Sequence, residues 1–348
     1  MIAVQNGHRP RARLAALGAY VPERVLTNHD LEEMVDTTDE WIVSRTGIRE
    51  RRVAAPDQAV SDLALAAAGA ALENAGISGE DVDAVICSTC TGDYVLPPTA
   101  PLVSLGIGAS RSMAYDLNTA CSGWIYGLNQ AYALVESAVA RTVLVVGAEV
   151  LSRFVNWEDR ATCILFGDGA GAAIVTASDP DTATGFLGFD LGADGAGVPE
   201  LLVPAGGGRR PAHDGDIPPG DFFIQMNGRE VFRFASRVMV DSATRLLEAV
   251  EMSIDEVDLM IPHQANIRII DHAVDRLGIA PEKVFNNLER YGNTSSASIP
   301  LAMAEARDAG ALRPGDLVLQ VGFGAGLTWG STLVRYEPLL PAASGSAA

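Results

Sequence analysis

The sequence predicts an α/β protein assembled from a duplicated unit, and three observations carry that expectation. Apolar runs of strand length alternate with longer, Ala-rich helical stretches, the pattern of sheets covered by helices. Two segments of the first half reappear in the same order in the second. LENAGISGEDVDAVIC at 72–87 lines up with LEAVEMSIDEVDLMIP at 247–262, and GDGAGAAIV at 167–175 lines up with GFGAGLTWG at 322–330. The chain of 348 residues is long enough for two such halves, 1–180 and 181–348.

Taken in order, SDLALAAAGAALENAG at 61–76 is the first expected long helix, with Ser and Asp at its start and Gly at its end, where caps belong. Strands follow at 84–89 (AVICST), 142–148 (TVLVVGA) and 172–177 (AAIVTA). AGGGRRPAHDGDIPPG at 205–220 has no apolar period and reads as a surface excursion, not a boundary. A second long helix is expected at 228–250, then strands at 259–263 (LMIPH) and 316–322 (DLVLQVG). In a duplicated α/β unit the C-terminal ends of equivalent strands meet near a shared axis, so a site should draw on both halves.

Composition narrows the function classes. The chain is 48% hydrophobic and 20% charged, with 25 Lys+Arg against 44 Asp+Glu and a net charge of −19. That balance describes a folded globular protein and disfavours nucleic acid and anionic membrane as partners. No apolar run approaches the ~20 residues of a membrane span, and the first twenty residues lack the apolar core and cleavage site of a secretion signal. No membrane insertion and a cytoplasmic location are therefore expected. The four cysteines, Cys87, Cys90, Cys121 and Cys163, are too few for a disulfide framework, so any chemistry they do is thiol chemistry.

Cys121 lies in NTACSGWIYGLNQ, where a short strand-like segment meets a nearly apolar helical stretch. At a helix start the orphan N–H groups and the dipole favour thiolate and can stabilise an oxyanion; the alternative is a small residue filling a tight turn. Cys87 and Cys90 form a C-x-x-C without a second ligand pair at zinc spacing, so they read as the end of a buried strand, and Cys163 reads as core. No metal site is expected. Of five histidines, His8, His29, His213 and His272 sit in polar or loop contexts, whereas His263 ends the strand LMIPH, where α/β proteins keep functional groups.

Asn293, in the Gly/Ser/Thr-rich RYGNTSSASIP, is by itself equally a turn or cap residue. Together, a thiol, an imidazole and an amide suit acyl chemistry, with a covalent thioester and two hydrogen-bond donors for developing charge. GFGAG at 322–326 does not complete a dinucleotide loop and fits a close backbone approach to a reactive centre better. Arg229, Arg233 and Arg237 fall at i, i+4 and i+8, so three guanidinium groups share one helix face, either as a solvated face or as a dock for an anionic partner.

Beyond these separate signals, DEWIVSRTGIRERR at 39–52, NTACSG at 118–123, DRATCILFGDGAGAA at 159–173, IPHQANIRI at 261–269, YGNTSSASIP at 291–300 and GFGAGLTWGS at 322–331 make the chain resemble the type III β-ketoacyl-[acyl-carrier-protein] synthases along nearly its whole length. These are the initiating condensing enzymes of fatty-acid synthesis, within the thiolase-like group. The resemblance implies a duplicated thiolase-like fold layered αβαβα, a homodimer, and Cys121, His263 and Asn293 as catalytic triad. It implies no permanently bound cofactor, with acyl-CoA as substrate and malonyl-acyl-carrier protein as partner. Cys121 and Ala325 would lend backbone N–H groups to an oxyanion hole flanked by Phe323. Trp41 and Arg160 would sandwich the CoA adenine, Arg45 would meet its phosphates, and Asn266 would line the pantetheine tunnel. Leu96 would help floor the acyl pocket. Arg233, Arg268 and Arg276 would receive the acidic carrier protein.

Two departures bear on these expectations. Relatives often carry Gly where Ala325 stands, and some carry Phe where Leu96 falls, so the oxyanion turn needs checking and longer or branched primers become expected. Three other readings compete. An acyltransferase of secondary metabolism often lacks the His or Asn that is present here, a Cys-His-Asn hydrolase does not fit the duplication, and a non-catalytic carrier-binding homologue does not fit an intact triad.

Overall fold

The computed structural model describes residues 2–3, 12–177 and 185–339. His8, the tail at 341–348 and the expected boundary at 180/181 lie outside the described residues. The elements that position the site are β1 (Ala12–Tyr20), α1 (Val60–Ala75), β2 (Ala84–Ser88), β3 (Met113–Leu117), α2 (Gly123–Glu136), β4 (Thr142–Val150) and β5 (Asp168–Ala177). They continue with β6 (Gly185–Ala193), α3 (Gly228–Ala249), β7 (Leu259–Pro262), α4 (Ile267–Leu277), α5 (Ser298–Asp308), β8 (Leu317–Gly324) and β9 (Thr328–Arg335).

The first sheet runs β1-β5-β4-β2-β3. Its first two pairs are antiparallel and its last two parallel. The second runs Ile2–Ala3, β6, β9, β8, β7. There β6–β9 and β9–β8 are antiparallel, β8–β7 is parallel, and a lone parallel bridge from Met260 to Val284 stands where β3 stands in the first sheet. The directions of β1, β5, β4 and β2 thus recur in β6, β9, β8 and β7, which is the expected duplication.

Of the two sequence repeats, the first is structural: the end of α1, the turn Gly79–Asp81 and β2 match the end of α3, the turn Ile254–Glu256 and β7. The second requires correction. GDGAG opens β5, whereas GFGAG closes β8 and turns toward β9, so shared Gly content aligned two different positions of the unit.

Five layers result. Helix α1, with Ala100–Gly106, covers the outer face of the first sheet, α3 backed by α4 covers that of the second, and α2 and α5 lie between the sheets. The sequence explains each placement. Helix α1 turns Ala64, Ala67, Ala68 and Ala71 to its sheet, small side chains that allow close approach. Helix α2 buries Trp124, Ile125, Leu128, Ala131 and Val135 at helical spacing in the central core, alongside Ile299, Ala302 and Met303 of α5. Strands covered on both faces need apolar residues at successive positions, hence the continuous runs that betrayed them. Trp124 Nε1 donates to Gln320 Oε1 of β8 at 2.8 Å, which ties the halves together inside that core. Among the described residues no helix is long and apolar enough to cross a membrane.

Candidate active site

Cys121 lies one step before the helix start that the sequence suggested, on the turn Ala120–Ser122 that leads from β3 into α2. Ala120 holds φ 47°, a left-handed conformation that costs a non-glycine residue energy and is kept where the surroundings fix it. The surroundings are the end of β8. A Cβ at Gly324 would stand 2.7 Å from Cys121 N and 2.9 Å from Thr119 O, so only glycine lets the second half touch the nucleophile's turn. The hydroxyls of Ser122 and Thr328 lie 2.9 Å apart, and both approach the Thr119 carbonyl, at 2.8 and 3.0 Å.

Ala325 follows Gly324 in the turn between β8 and β9, half-buried. It is not among the described non-glycine residues with positive φ, so its methyl sits there without backbone strain.

His263 follows β7, fully buried, its N–H bound to Val321 O at 2.8 Å and its ring edge-on to Phe323 with centroids 5.3 Å apart. Nδ1 lies 2.7 Å from Ser298 Oγ at the start of α5, and Nε2 is buried without a partner among the described residues. Burial pushes the imidazole pKa down to about 3, so the ring is neutral at ordinary pH.

Asn293 is placed by backbone bonds to Leu165 O at 2.8 Å and from Gly167 N at 3.0 Å. Its Oδ1 accepts the Ser295 N–H at 2.8 Å, which leaves the Nδ2 hydrogens as the group it offers. Ser295 is itself held at φ 50°, and the turn Ser295–Ala297 packs against the turn Ala120–Ser122. The Ser295 hydroxyl donates to Glu149 Oε1 at 3.0 Å.

Burial pushes the Cys121 thiol up to about 12, against the opposing pull of the Ser295 hydroxyl and its own N–H. Desolvation thus opposes the thiolate that the backbone N–H groups at the helix start favour. Cys121, His263 and Asn293 are each buried, and the turn that carries Cys121 packs against the turn that begins two residues after Asn293.

Residues 115–195 match the family profile described as 3-oxoacyl-[acyl-carrier-protein (ACP)] synthase III, and residues 247–336 match its C-terminal counterpart. The beta-ketoacyl-[acyl-carrier-protein] synthase III of Symbiobacterium thermophilum is 53% identical over 323 residues, covering 93% of this chain and 97% of the relative.

The chain belongs to the 3-oxoacyl-[acyl-carrier-protein] synthase III family. Solved members share its fold: the Thermus thermophilus synthase III is 51% identical with a TM-score of 0.86, covering 93% of this chain and 99% of that one. The Aquifex aeolicus synthase III is 44% identical with a TM-score of 0.86, covering 93% and 100%. As a synthase III, the chain is a condensing acyltransferase with the thiolase-like α/β fold, the class its sequence predicted.

Other residues expected of a synthase III fall into three groups. Arg160 stands over the Trp41 ring, 4.9 Å from its centroid, and Arg45 lies 5.8 Å from the same ring. Arg160 therefore stacks directly on Trp41, with no room for an adenine between them until it moves. It is half-exposed and held by the Asp36 carbonyl at 2.7 Å. Both polar ends of Asn266 are in use, Oδ1 capping α4 at Arg268 N and Nδ2 donating to Arg45 O at 3.1 Å.

Leu96 is not brought to Cys121 within one chain; it is 83% exposed in a loop beside Tyr94 and Val95, itself 95% exposed.

Arg229, Arg233 and Arg237 share an exposed face of α3, with Arg233 paired to Glu230, while Arg268 stacks on Phe232 at 5.5 Å and Arg276 is exposed at the end of α4. Cys87 is buried in β2 and Cys163 in the core beside Arg51, as their contexts suggested. Cys90 instead turns its thiol to Glu149, 3.4 Å from both carboxyl oxygens.

Sequence reasoning passed over Ser298, Ser295 and Glu149. The first two stand inside YGNTSSASIP, and the signal for the third was an acid ending the otherwise apolar TVLVVGAEV.

Proposed function

We propose that this chain begins acyl-chain synthesis by decarboxylative Claisen condensation, joining an acyl-CoA primer to malonyl-acyl-carrier protein to give a 3-oxoacyl-acyl-carrier protein. What supports this reading is a buried Cys121 thiol in one half and, in the other, a buried His263 whose Nε2 has no partner among the described residues and an Asn293 whose Oδ1 is already taken by Ser295 N–H. Cys121 sulfur attacks the primer thioester, and CoA leaves as the thiol with the Cys121 proton. Malonyl-carrier protein follows and loses CO₂. The enolate oxygen accepts hydrogen bonds from His263 and Asn293, which stabilise it only once charge has developed. Its carbon attacks the acyl-Cys121 carbonyl, whose oxygen is held by the N–H groups of Cys121 and Ala325, and the sulfur departs as thiolate and takes up a proton from water to regenerate the thiol. Phe323 keeps the imidazole edge dry.

In this reading the reaction runs on side chains alone, without a resident cofactor. Trp41, Arg160, Arg45 and Asn266 hold the CoA, and the exposed arginines Arg233, Arg268 and Arg276 take up the acidic carrier protein on an otherwise acidic chain. The exposed apolar Tyr94–Leu96 loop supports a homodimer in which Leu96 reaches the partner's acyl pocket. The halves 1–180 and 181–348 contribute nucleophile and donors respectively, and the protein works in the cytoplasm.

Intact-protein mass spectrometry after mixing with acetyl-, isobutyryl- and longer acyl-CoAs tests the reading. One acyl adduct in wild type and none in Cys121→Ser is the expected result, and its size ranks the primers. An adduct that persists in Cys121→Ser overturns the assignment.

A further inference from the structure

Thr328, the first residue of β9, carries a buried hydroxyl to which the condensation gives no task. It stands between the two turns whose N–H groups the proposed reaction uses. Its Oγ1 lies 3.0 Å from the carbonyl of Thr119, which opens the turn of Cys121, and 3.1 Å from the carbonyl of Ala325. Ser122 Oγ lies 2.8 Å from the same Thr119 carbonyl and 2.9 Å from Thr328 Oγ1. Each hydroxyl has one proton and faces two acceptors: Ser122 faces Thr119 O and Thr328 Oγ1, and Thr328 faces Thr119 O and Ala325 O. Shared as three-centre bonds, the two protons cover all four contacts.

Other contacts place these turns without fixing how they face each other. Leu327 exchanges backbone hydrogen bonds with Asp194, at 2.7 and 2.8 Å, which ties the turn after β8 to the end of β6 in its own half. Gly324, where a Cβ would stand 2.7 Å from Cys121 N, sets how closely the turns approach. A van der Waals contact of this kind has no direction. Among the described residues the Thr328 hydroxyl is the one group that hydrogen-bonds a carbonyl of each turn. Peptide units are planar, so holding these carbonyls limits the rotation of the neighbouring units that carry the Cys121 and Ala325 N–H groups. Donors stabilise an oxyanion only when they are already aimed at the place where it forms, and here the two donors come from different halves of the chain.

We propose that Thr328 is a positioning residue for acyl transfer: its hydroxyl locks the Cys121 and Ala325 turns together so that both N–H groups point at one oxygen. It acts through the two turns and not on the reacting atoms. The inference deepens the proposed function and rests on its oxyanion hole, whatever the acyl donor or acceptor.

The experiment compares two reactions of the Cys121 thiol in wild type, Thr328→Val and Thr328→Ser, each followed on the Cys121 peptide by mass spectrometry. Iodoacetamide alkylates by displacement at a saturated carbon; iodide leaves and no oxyanion forms. S-phenyl thioacetate acylates by addition to its carbonyl, whose electron pair moves to oxygen and returns as benzenethiol leaves with the Cys121 proton. Thr328→Val keeps the branched shape but has no proton to give the two carbonyls. It should acylate about tenfold more slowly than wild type, less than the roughly hundredfold lost with a whole oxyanion donor, and alkylate at the wild-type rate. Thr328→Ser should match wild type in both reactions. A hydroxyl that only supported the fold or the nucleophile would slow both reactions when removed. Equal slowing of the two, wild-type acylation by Thr328→Val, failure of Thr328→Ser to restore it, or a wild type that the thioester leaves unacylated would each overturn the proposal. Neither reagent carries CoA or malonate, so a wild type that shows the expected contrast but condenses no acyl-CoA with malonyl-acyl-carrier protein sinks the functional reading and leaves the role of Thr328 standing.

Discussion

Ser298 Oγ lies 2.7 Å from His263 Nδ1 and accepts the Gln264 N–H at 3.3 Å, which fixes the tautomer of the histidine. With one lone pair taken by Gln264, the arrangement that satisfies the buried hydroxyl has it donate to Nδ1. The remaining ring proton then sits on Nε2, the nitrogen left unpartnered in the pocket. A serine at the first turn of α5 thus decides that the imidazole is a donor.

Ser298→Ala should leave acyl-adduct formation at wild-type rate and slow malonyl decarboxylation about tenfold, the effect of one hydrogen bond of roughly 1.4 kcal/mol. Separate single-turnover assays of the two steps check it. Equal slowing of both would contradict the tautomer assignment.

The His263 pKa, held at about 3 by burial, carries a stability signature. Between that value and about 6.5, its value in an unfolded chain, the unfolded state binds a proton that the folded state does not. Folding is therefore favoured above this window, and stability is lost as pH falls into it. From pH 6.5 to 4.5 the loss should be about 2–3 kcal/mol greater in wild type than in His263→Ala, measured by urea unfolding at each pH.

Gly147→Ala should cost about 1–3 kcal/mol in stability, because the new Cβ meets the Ser296 carbonyl at 2.3 Å and the turn carrying Ser295 must shift. Thermal unfolding gives the first quantity and the rate of Cys121 acylation the second, which should fall with it.

Trp41→Ala should raise KM for acyl-CoA about tenfold and leave kcat little changed, since the adenine loses an aromatic stacking face worth about 1–3 kcal/mol. A short acyl-pantetheine donor, lacking the adenine, should be indifferent to the substitution.

Arg268→Glu should raise KM for malonyl-acyl-carrier protein several-fold, most at low salt, and leave KM for acyl-CoA unchanged. Steady-state kinetics at two ionic strengths separate the two.

Much of this was legible in the chain itself. The α/β class announced itself because strands covered on both faces must be apolar at successive positions, the five layers were what the family resemblance implied, and the repeat around β2 and β7 survived because both copies keep a helix end, a one-turn helix and a buried strand in the same order. Cys121 and His263 stood out by position, at a helix start and at a strand end, whereas Asn293 became a candidate only beside them and through the family motif. The Gly-rich repeat misled for a related reason: glycine is selected wherever backbones touch, so GDGAG and GFGAG look alike while opening one strand and closing another.

The sequence by itself determined the fold class and the duplication, which follow from periodicity, and it offered the candidate reacting groups through residue type and family motifs. Only the tertiary structure decided their chemical state. The thiol is pushed up and the imidazole down because the pocket is dry, Nε2 carries the proton because Ser298 reaches Nδ1, and Leu96 is left outside because its loop stands off the chain. Those outcomes depend on groups up to 146 positions apart, as Glu149 and Ser295 are, and on water excluded by both halves together, neither of which a linear pattern encodes.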